Sequence, residues 1–271
     1  LSEKVALRTD AQQETAVTQL LPGKSFKSFK VTELLVFKDC ARKYFWQYEW
    51  GLNDDREEIY SEKSEKGSGN RDSSGTKIGS FLHQVFQAGD AEWPEVLWKE
   101  TFQGLAAAES SHLKADLQQM WGNFRNSRFT KEHGKCWDEV PFILKMANRK
   151  IEGRFDRLIQ SRDGILTLVD YKSHHISGGE VEKKARPYFW QLQLYALAIE
   201  ALWGRLPDQA LLYFLYPNQT VAVPLDEASL NETRRDVQNI MQFIEEHDQY
   251  RRQDYARGKQ CKYCGYKGVC G

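Results

Sequence analysis

The sequence predicts an α/β fold, and two observations lead to this expectation. Residues 151–173 contain two runs rich in Ile, Leu, Val, Phe and Thr on either side of a turn signal at 161–164, which indicates an antiparallel hairpin. Around this hairpin, further strand-like runs alternate with longer segments whose apolar residues recur at helical spacing. The 271 residues suffice for one large domain or two small ones.

The remaining elements are assigned from the same two periodicities and from polar, Gly- and Ser-rich interruptions. The aromatic run Tyr44-Phe45-Trp46 is assigned to the core rather than to stacking on unpaired bases. In chain order we expect an arm or linker (1–23), a helix (31–50), a mobile surface loop (53–77), a helix from Ile78, helices that form an insertion (90–130), a strand (137–144), the hairpin, a helix (186–203), two strands (211–216 and 220–223), a helix (227–252) and a cysteine-rich tail (261–271).

Composition excludes several classes of protein. The 38 basic and 38 acidic residues cancel, which argues against coating long nucleic acids by charge alone but allows a local basic groove. No apolar run approaches the roughly 18 residues of a membrane helix, and the polar start shows no signal peptide. Five unevenly spaced cysteines do not indicate a secreted disulfide scaffold, so we expect a reducing, cytoplasmic setting. The missing initial Met suggests a processed chain or part of a longer one.

Charged residues of the predicted hairpin are expected to converge. If the turn centres on Asp163, Asp156 lies opposite Asp170, and directly opposed residues share a face of the sheet. Lys172 follows two residues later and points to the same face. These groups form either a cradle for a divalent metal or a solvated ion-pair cluster. The apolar run 166–169 favours burial, which demands a partner for each carboxylate, but the hairpin alone leaves the two interpretations even.

The tail carries a second candidate metal site. Cys261, Cys264 and Cys270 form a C-x2-C-x5-C pattern, and Cys40 is the natural fourth ligand. Such a site would join the first helix to the tail. An iron-sulfur cluster and a zinc site with the same four ligands both remain open at this point. Cys136 stands apart from these and is expected to be a structural or incidental thiol.

Six motifs in this order give the chain a family resemblance. They are an early Cys, G-x-x-x-H ending at His83, G-R-x-D ending at Asp156, D-Y-K from Asp170, Q-x-x-x-Y from Gln191, and the cysteine tail. Together they resemble the RecB-like branch of the PD-(D/E)XK nucleases. The similarity is greatest to its iron-sulfur form, found in AddB-type helicase–nucleases and CRISPR-associated adaptation nucleases. It implies one domain over 24–271, with a central mixed sheet flanked by helices, a helical insertion and a four-cysteine iron-sulfur staple that joins the N- and C-terminal parts.

The resemblance also implies a role for each motif residue. Mg²⁺ or Mn²⁺ would be held by His83, Asp156, Asp170 and the carbonyl of Tyr171, and Lys172 would orient water or stabilise negative charge. Phe155 stands where the family name has Pro. Other implied positions are the DNA-contacting Gln191 and Tyr195, an extra acidic residue at Glu139, and [4Fe-4S] ligands Cys40, Cys261, Cys264 and Cys270. Basic residues that flank the site are expected to contact phosphates: Arg154, Arg157, Lys183, Lys184 and Arg186.

The expected activity is metal-dependent hydrolysis of DNA, with preference for exonuclease action on ends or single strands. The pattern G-x-x-x-x-G-K-[ST] is absent from the sequence, so a motor would have to be a separate helicase domain or partner. Two alternatives remain: a catalytically silent module that binds DNA or a partner protein, and a structural protein stapled by zinc.

Overall fold

The computed structural model describes residues 27–52, 74–89, 92–131, 134–246, 261–262 and 264–270. The predicted arm at 1–23 and most of the predicted loop at 53–77 lie outside these ranges. Within them, no helix combines the length and the apolarity that a membrane span requires.

Six strands form one mixed sheet. They are β1 (Lys27–Lys30), β2 (Lys135–Met146), β3 (Arg149–Gln160), β4 (Leu166–Lys172), β5 (Gln209–Phe214) and β6 (Gln219–Ala222). Strands β2, β3 and β4 pair antiparallel in succession, β4 and β5 are parallel, and β6 runs antiparallel to β5. The short β1 lies parallel to the first part of β3. The mixed sheet that the resemblance implies is therefore confirmed.

Helices cover both faces of the sheet and create two apolar cores. The helices are α1 (Val31–Asp39), α2 (Ala41–Tyr44), α3 (Ser74–Ala88), α4 (Glu95–Thr101), α5 (Ala107–Asn126), α6 (Arg128–Lys131), α7 (Val181–Ala185), α8 (Phe189–Trp203) and α9 (Glu227–Glu246). Buried residues of α1, α7, α8 and α9 form one core with the sheet. Those of α3, α4, α5 and α6 form the other core on the opposite face. The result is a three-layer α/β arrangement.

The predicted hairpin is confirmed in its turn and its register. Gly164 has φ +84°, and its N–H donates to the carbonyl of Ser161. Glycine suits this left-handed conformation because it has no Cβ. Pairs such as Arg157↔Val169 follow the register that places Asp156 opposite Asp170. Residues 166–171 are all buried, as the unbroken apolar pattern of this strand predicts.

The sheet divides at the end of this hairpin. Because β2 pairs with β3 along its whole length, β1 and β4 share the other edge of β3. Pairing with β1 ends at Glu152 and pairing with β4 begins at Arg157, so residues 153–156 lie in the interval between them. Beyond Val169, β4 continues alongside β5 to Lys172. Asp156 and Asp170 therefore stand where β4 separates from β3.

The predicted strands are displaced by one or two residues at their ends, and two helices depart further from their predicted bounds. The helix expected over 31–50 stops at Asp39, because Cys40 is extended (φ −157°, ψ 105°), and the chain continues as α2 and a π-helical turn over Phe45–Glu49. The helix expected from Ile78 already begins at Ser74, so the last residues of the predicted loop are helical. Small polar residues mark loops only on average, and the amphipathic helix that follows extends through them.

Candidate metal centre

Three side chains from three elements meet at the division of the sheet. Ligand atoms of His83 on α3, Glu139 on β2 and Asp156 on β3 all lie within 4.8 Å of one another. The Nδ1 atom of His83 is 2.6 Å from Oε1 of Glu139, and its Nε2 atom is 3.7 Å from Oδ2 of Asp156. The imidazole thus lies between two carboxyl groups, each of which approaches a different ring nitrogen.

A local irregularity of the two strands brings these carboxylates together. Trp137 and Val140 are three residues apart, yet both pack against the core that contains α8. The same is true of Phe155 and Leu158. Strict alternation would send such residues to opposite faces. Between Trp137 and Val140, Glu139 has φ +52°, an uncommon conformation for a residue with a Cβ. The alternation therefore changes phase at Glu139 and at Asp156, its neighbour across the register.

The second aspartate lies beside this group and is paired with a lysine. Asp170 is 2% exposed, and its Oδ2 atom is 2.7 Å from Nζ of Lys172. Oδ2 of Asp156 accepts a hydrogen bond of 2.8 Å from the backbone N–H of Tyr171. The expected site residues His83, Asp156, Asp170 and Lys172 thus lie close together. The group that meets within 4.8 Å contains Glu139 instead of Asp170.

The electrostatics of the site favour bound cations. Burial, followed by the charge of Asp170, raises the pKa of Asp156 to about 7. Burial acts to lower the pKa of His83, but the hydrogen bond that its ring donates to Glu139 and the charge of Asp156 outweigh burial and raise this pKa to about 9. Burial likewise opposes the charge of Lys172, yet Asp170 raises the pKa of its ammonium. The closely spaced, buried carboxylates thus stabilise the positively charged groups beside them.

The expected Q-x-x-x-Y residues connect to the same locus through Lys172. Oε1 of Gln191 lies 3.4 Å from Nζ of Lys172, and Nε2 of Gln191 donates to the hydroxyl of Tyr195 at 2.9 Å. One turn of α8 separates Gln191 from Tyr195, so both face the site. The ring of Tyr195 is fixed edge-on against Phe142 and Phe155. The three polar side chains therefore form one hydrogen-bonded row.

The expected phosphate-binding residues fall into two groups. Arg154 is 60% exposed and lies 3.6 Å from Glu139, at the rim of the site. Lys183 and Arg186 are exposed and Lys184 is half-buried, all just before α8. Arg157 is buried, stacked on Phe124 and paired with Asp138 at 3.1 Å. The expectation that Arg157 grips a phosphate is wrong, because its side chain is buried against Phe124 and Asp138. Its pair with Asp138 is structural.

The cysteine-rich tail docks beside the broken first helix. Nη1 of Arg42 donates to the carbonyl of Cys270, and Nε1 of Trp46 lies 3.3 Å from its sulfur. Burial, with smaller contributions from Cys270 and Cys40, raises the pKa of Cys264. The segment that follows Cys40 thus contacts the tail at Cys270. Among the described residues, no three of these sulfurs come within 4.8 Å of one another.

The comparison with protein families decides what this architecture is. A model of the PD-(D/E)XK nuclease superfamily matches residues 28–271. The chain belongs to the PD-(D/E)XK nuclease superfamily. Members of this superfamily generally use divalent metals, and the group of His83, Glu139 and Asp156 offers nitrogen and oxygen donors to such an ion.

The chain spans only a small part of the length of the curated relatives it matches. The chain is 35% identical over 81 residues to an ATP-dependent helicase/nuclease subunit of Clostridium novyi, covering 30% of this chain and 6% of that protein. Identity to the subunit of the same name from Listeria welshimeri is 27% over 184 residues, 57% of this chain and 15% of that protein. A solved structure from Eubacterium rectale, described as a candidate exonuclease, shares the fold (TM-score 0.51, 11% identity, 81% of this chain and 82% of that chain).

In this PD-(D/E)XK member, Glu139, for which the resemblance implies only an extra acidic residue, lies 2.6 Å from His83. A glutamate on a strand carries no local signal of this role. Its register with Asp156 becomes visible only once β2 is known to pair with β3 along its full length.

Proposed function

We propose that this chain is a metal-dependent deoxyribonuclease that acts on DNA ends or single strands as a module of a helicase–nuclease machine. One observation carries the proposal: His83, Glu139 and Asp156 meet at the division of the sheet, beside the buried pair of Asp170 and Lys172. Membership of a nuclease superfamily supports a DNA substrate, and the names of the curated relatives support a helicase partner.

The donor set suits a hard divalent cation. His83, Asp156, Asp170 and the carbonyl of Tyr171 would hold Mg²⁺ or Mn²⁺, and the imidazole nitrogen shifts the preference toward Mn²⁺. Because Glu139 contacts Nδ1, the imidazole presents Nε2 toward Asp156. A carboxylate on the far nitrogen fixes the orientation of a ligating histidine, so we assign Glu139 that role. When bound, the ion supplies polarisation of the scissile phosphate and a more acidic water.

The surrounding side chains position the substrate and the reacting charge. The Lys172 ammonium stands next to Asp170, where it would orient water or stabilise the developing negative charge. Gln191 holds this amine and is itself held by Tyr195. Arg154 and the exposed basic residues before α8 would grip the backbone phosphates.

We further propose that Cys40, Cys261, Cys264 and Cys270 hold a [4Fe-4S] cluster with a structural role. The docking of Cys270 on Arg42 and Trp46 supports a site that ties the tail to α2. A zinc site with the same four ligands is the alternative. Iron and zinc analysis of protein purified without oxygen tests this. We expect iron, a brown colour in the wild type, and loss of both in Cys264→Ala.

Digestion of end-labelled single- and double-stranded DNA tests the nuclease. We expect cleavage with Mg²⁺ or Mn²⁺, none with chelator, and progressive shortening of linear DNA while circular DNA stays intact. Asp170→Ala and Lys172→Ala should abolish cleavage without loss of the fold. Asp163→Ala, in the exposed turn of the same hairpin, is the matched control and should cleave normally. Retained cleavage in both site variants would remove the assignment, and an inactive wild type would indicate a silent binding module.

A further inference from the structure

The ammonium of Lys172 has a third neighbour that the mechanism above does not use. Nζ lies 2.7 Å from Asp170, 3.4 Å from Gln191 and 4.2 Å from the centre of the Tyr188 ring. The Lys172 side chain is 13% exposed, so this cation–ring contact is largely shielded from water. Shielding strengthens the attraction between a cation and the face of an aromatic ring.

Tyr188 is itself held in place. Its hydroxyl lies 3.0 Å from Nε2 of His174, two residues beyond Lys172 in the chain, and the two rings are in contact. The ring of His174 packs in turn near Phe214, the residue that pairs with Lys172 across β4 and β5. The connection between β4 and α8 therefore folds back on itself, so that His174 near its start holds the ring of Tyr188 at its end.

The spacing along the helix places Tyr188 in the row of site residues. Tyr188 precedes Gln191 by three positions, and Gln191 precedes Tyr195 by four. Residues at this spacing lie on one face of a helical segment. Tyr188 and Gln191 both contact Lys172, and Tyr195 is bonded to Gln191 on the same face.

We propose that Tyr188 is a positioning residue for Lys172, with its ring as the support of the ammonium and His174 as the anchor of its hydroxyl. This inference rests on the proposed nuclease function. In the proposed function Asp170 both binds a metal and pairs with the amine of Lys172, so its attraction for the amine weakens when the metal shares its charge. The ring of Tyr188 is neutral and binds no metal, so its contact with the amine is not weakened in this way. With Asp170 and Gln191 accepting two of the three N–H bonds, the third is available for phosphate or water.

The contact can be measured without any cleavage. In metal-free protein labelled with ¹³C at lysine Cε, the ring current of Tyr188 should shift the Lys172 signal upfield, and Lys172→Ala identifies that signal. Tyr188→Phe should keep the shift and Tyr188→Leu should lose it. Tyr188→Met, which fills a similar volume without a ring, serves if the Leu variant does not fold. Tyr216→Leu removes another tyrosine beside a histidine and should leave the signal unchanged. A signal that survives the loss of the ring overturns the proposal.

Kinetics distinguish positioning from packing. We expect Tyr188→Leu to lower kcat roughly tenfold with an unchanged KM for DNA, since the ring touches the amine and not the strand. Tyr188→Phe should restore most of kcat, and an equal loss in the Phe and Leu variants would contradict the proposal. An inactive wild type with a shifted Lys172 signal refutes the nuclease function alone. An active wild type with an unshifted signal refutes the role of Tyr188 alone.

Discussion

The change Glu139→Gln tests how the histidine of the site is held. In metal-free protein, burial works against the charged imidazole, while Glu139 and Asp156 raise the pKa of His83 from 6.5 to about 9. This difference corresponds to about 3 kcal/mol of preference for the charged form. The hydrogen bond to Glu139 is the largest contribution that raises this pKa, so its removal leaves only the charges of Asp156 and Asp170 to oppose burial. We therefore expect the pKa of His83 to fall markedly in Glu139→Gln.

Titration of the histidine ring protons by NMR measures this directly, with His83→Ala to assign the signal. The wild-type imidazole should remain charged through neutral pH and lose its proton near pH 9. The matched control is Glu95→Gln, which removes a carboxylate that pairs with Lys114 on the distant α4–α5 surface. A wild-type His83 that titrates near its ordinary value, or a Glu139→Gln variant that titrates as the wild type does, would show that Glu139 does not hold the charged imidazole.

Three further predictions follow from the same geometry. Gly153→Ala should lower the free energy of unfolding by about 1–3 kcal/mol in urea titrations, because its Cβ would overlap the Phe142 ring; an unchanged midpoint would contradict that close approach. Arg157→Met should cost about 3 kcal/mol by the same measurement, because Asp138 loses its buried partner, whereas a phosphate-binding role would leave stability intact and weaken DNA binding. Affinity for Mn²⁺ should rise from pH 6 to pH 9 in calorimetric titrations, because ligation needs deprotonated groups and the pKa of Asp156 is raised to about 7; an affinity independent of pH would contradict this.

The sequence predicts those parts of the fold that local rules decide. The turn at Gly164 and the unbroken apolar strand determine the hairpin, and the hairpin register brings Asp156 opposite Asp170. The long amphipathic helices are equally visible from their periodicity. In each of these elements, the residues that determine the local conformation lie within a few positions of it.

The remaining features depend on contacts between distant segments. The apolar spacing of the first helix continues through Cys40, and no Pro or Gly marks the break that lets the tail dock there. The left-handed backbone of Glu139 reverses the alternation of β2. The burial of Arg157 depends on its contact with Phe124, which comes from a distant helix. The contact of Tyr188 with Lys172 arises only when the connection between β4 and α8 folds back.

The central claim is that one divalent ion binds where α3, β2 and β3 meet. Titration of the metal-free protein with Mn²⁺, followed by electron paramagnetic resonance of the free ion, tests it most directly. We expect one tight site per chain in the wild type, its loss in Asp156→Asn and His83→Ala, and its retention in Asp163→Asn. Equal binding by the wild type and Asp156→Asn would contradict it.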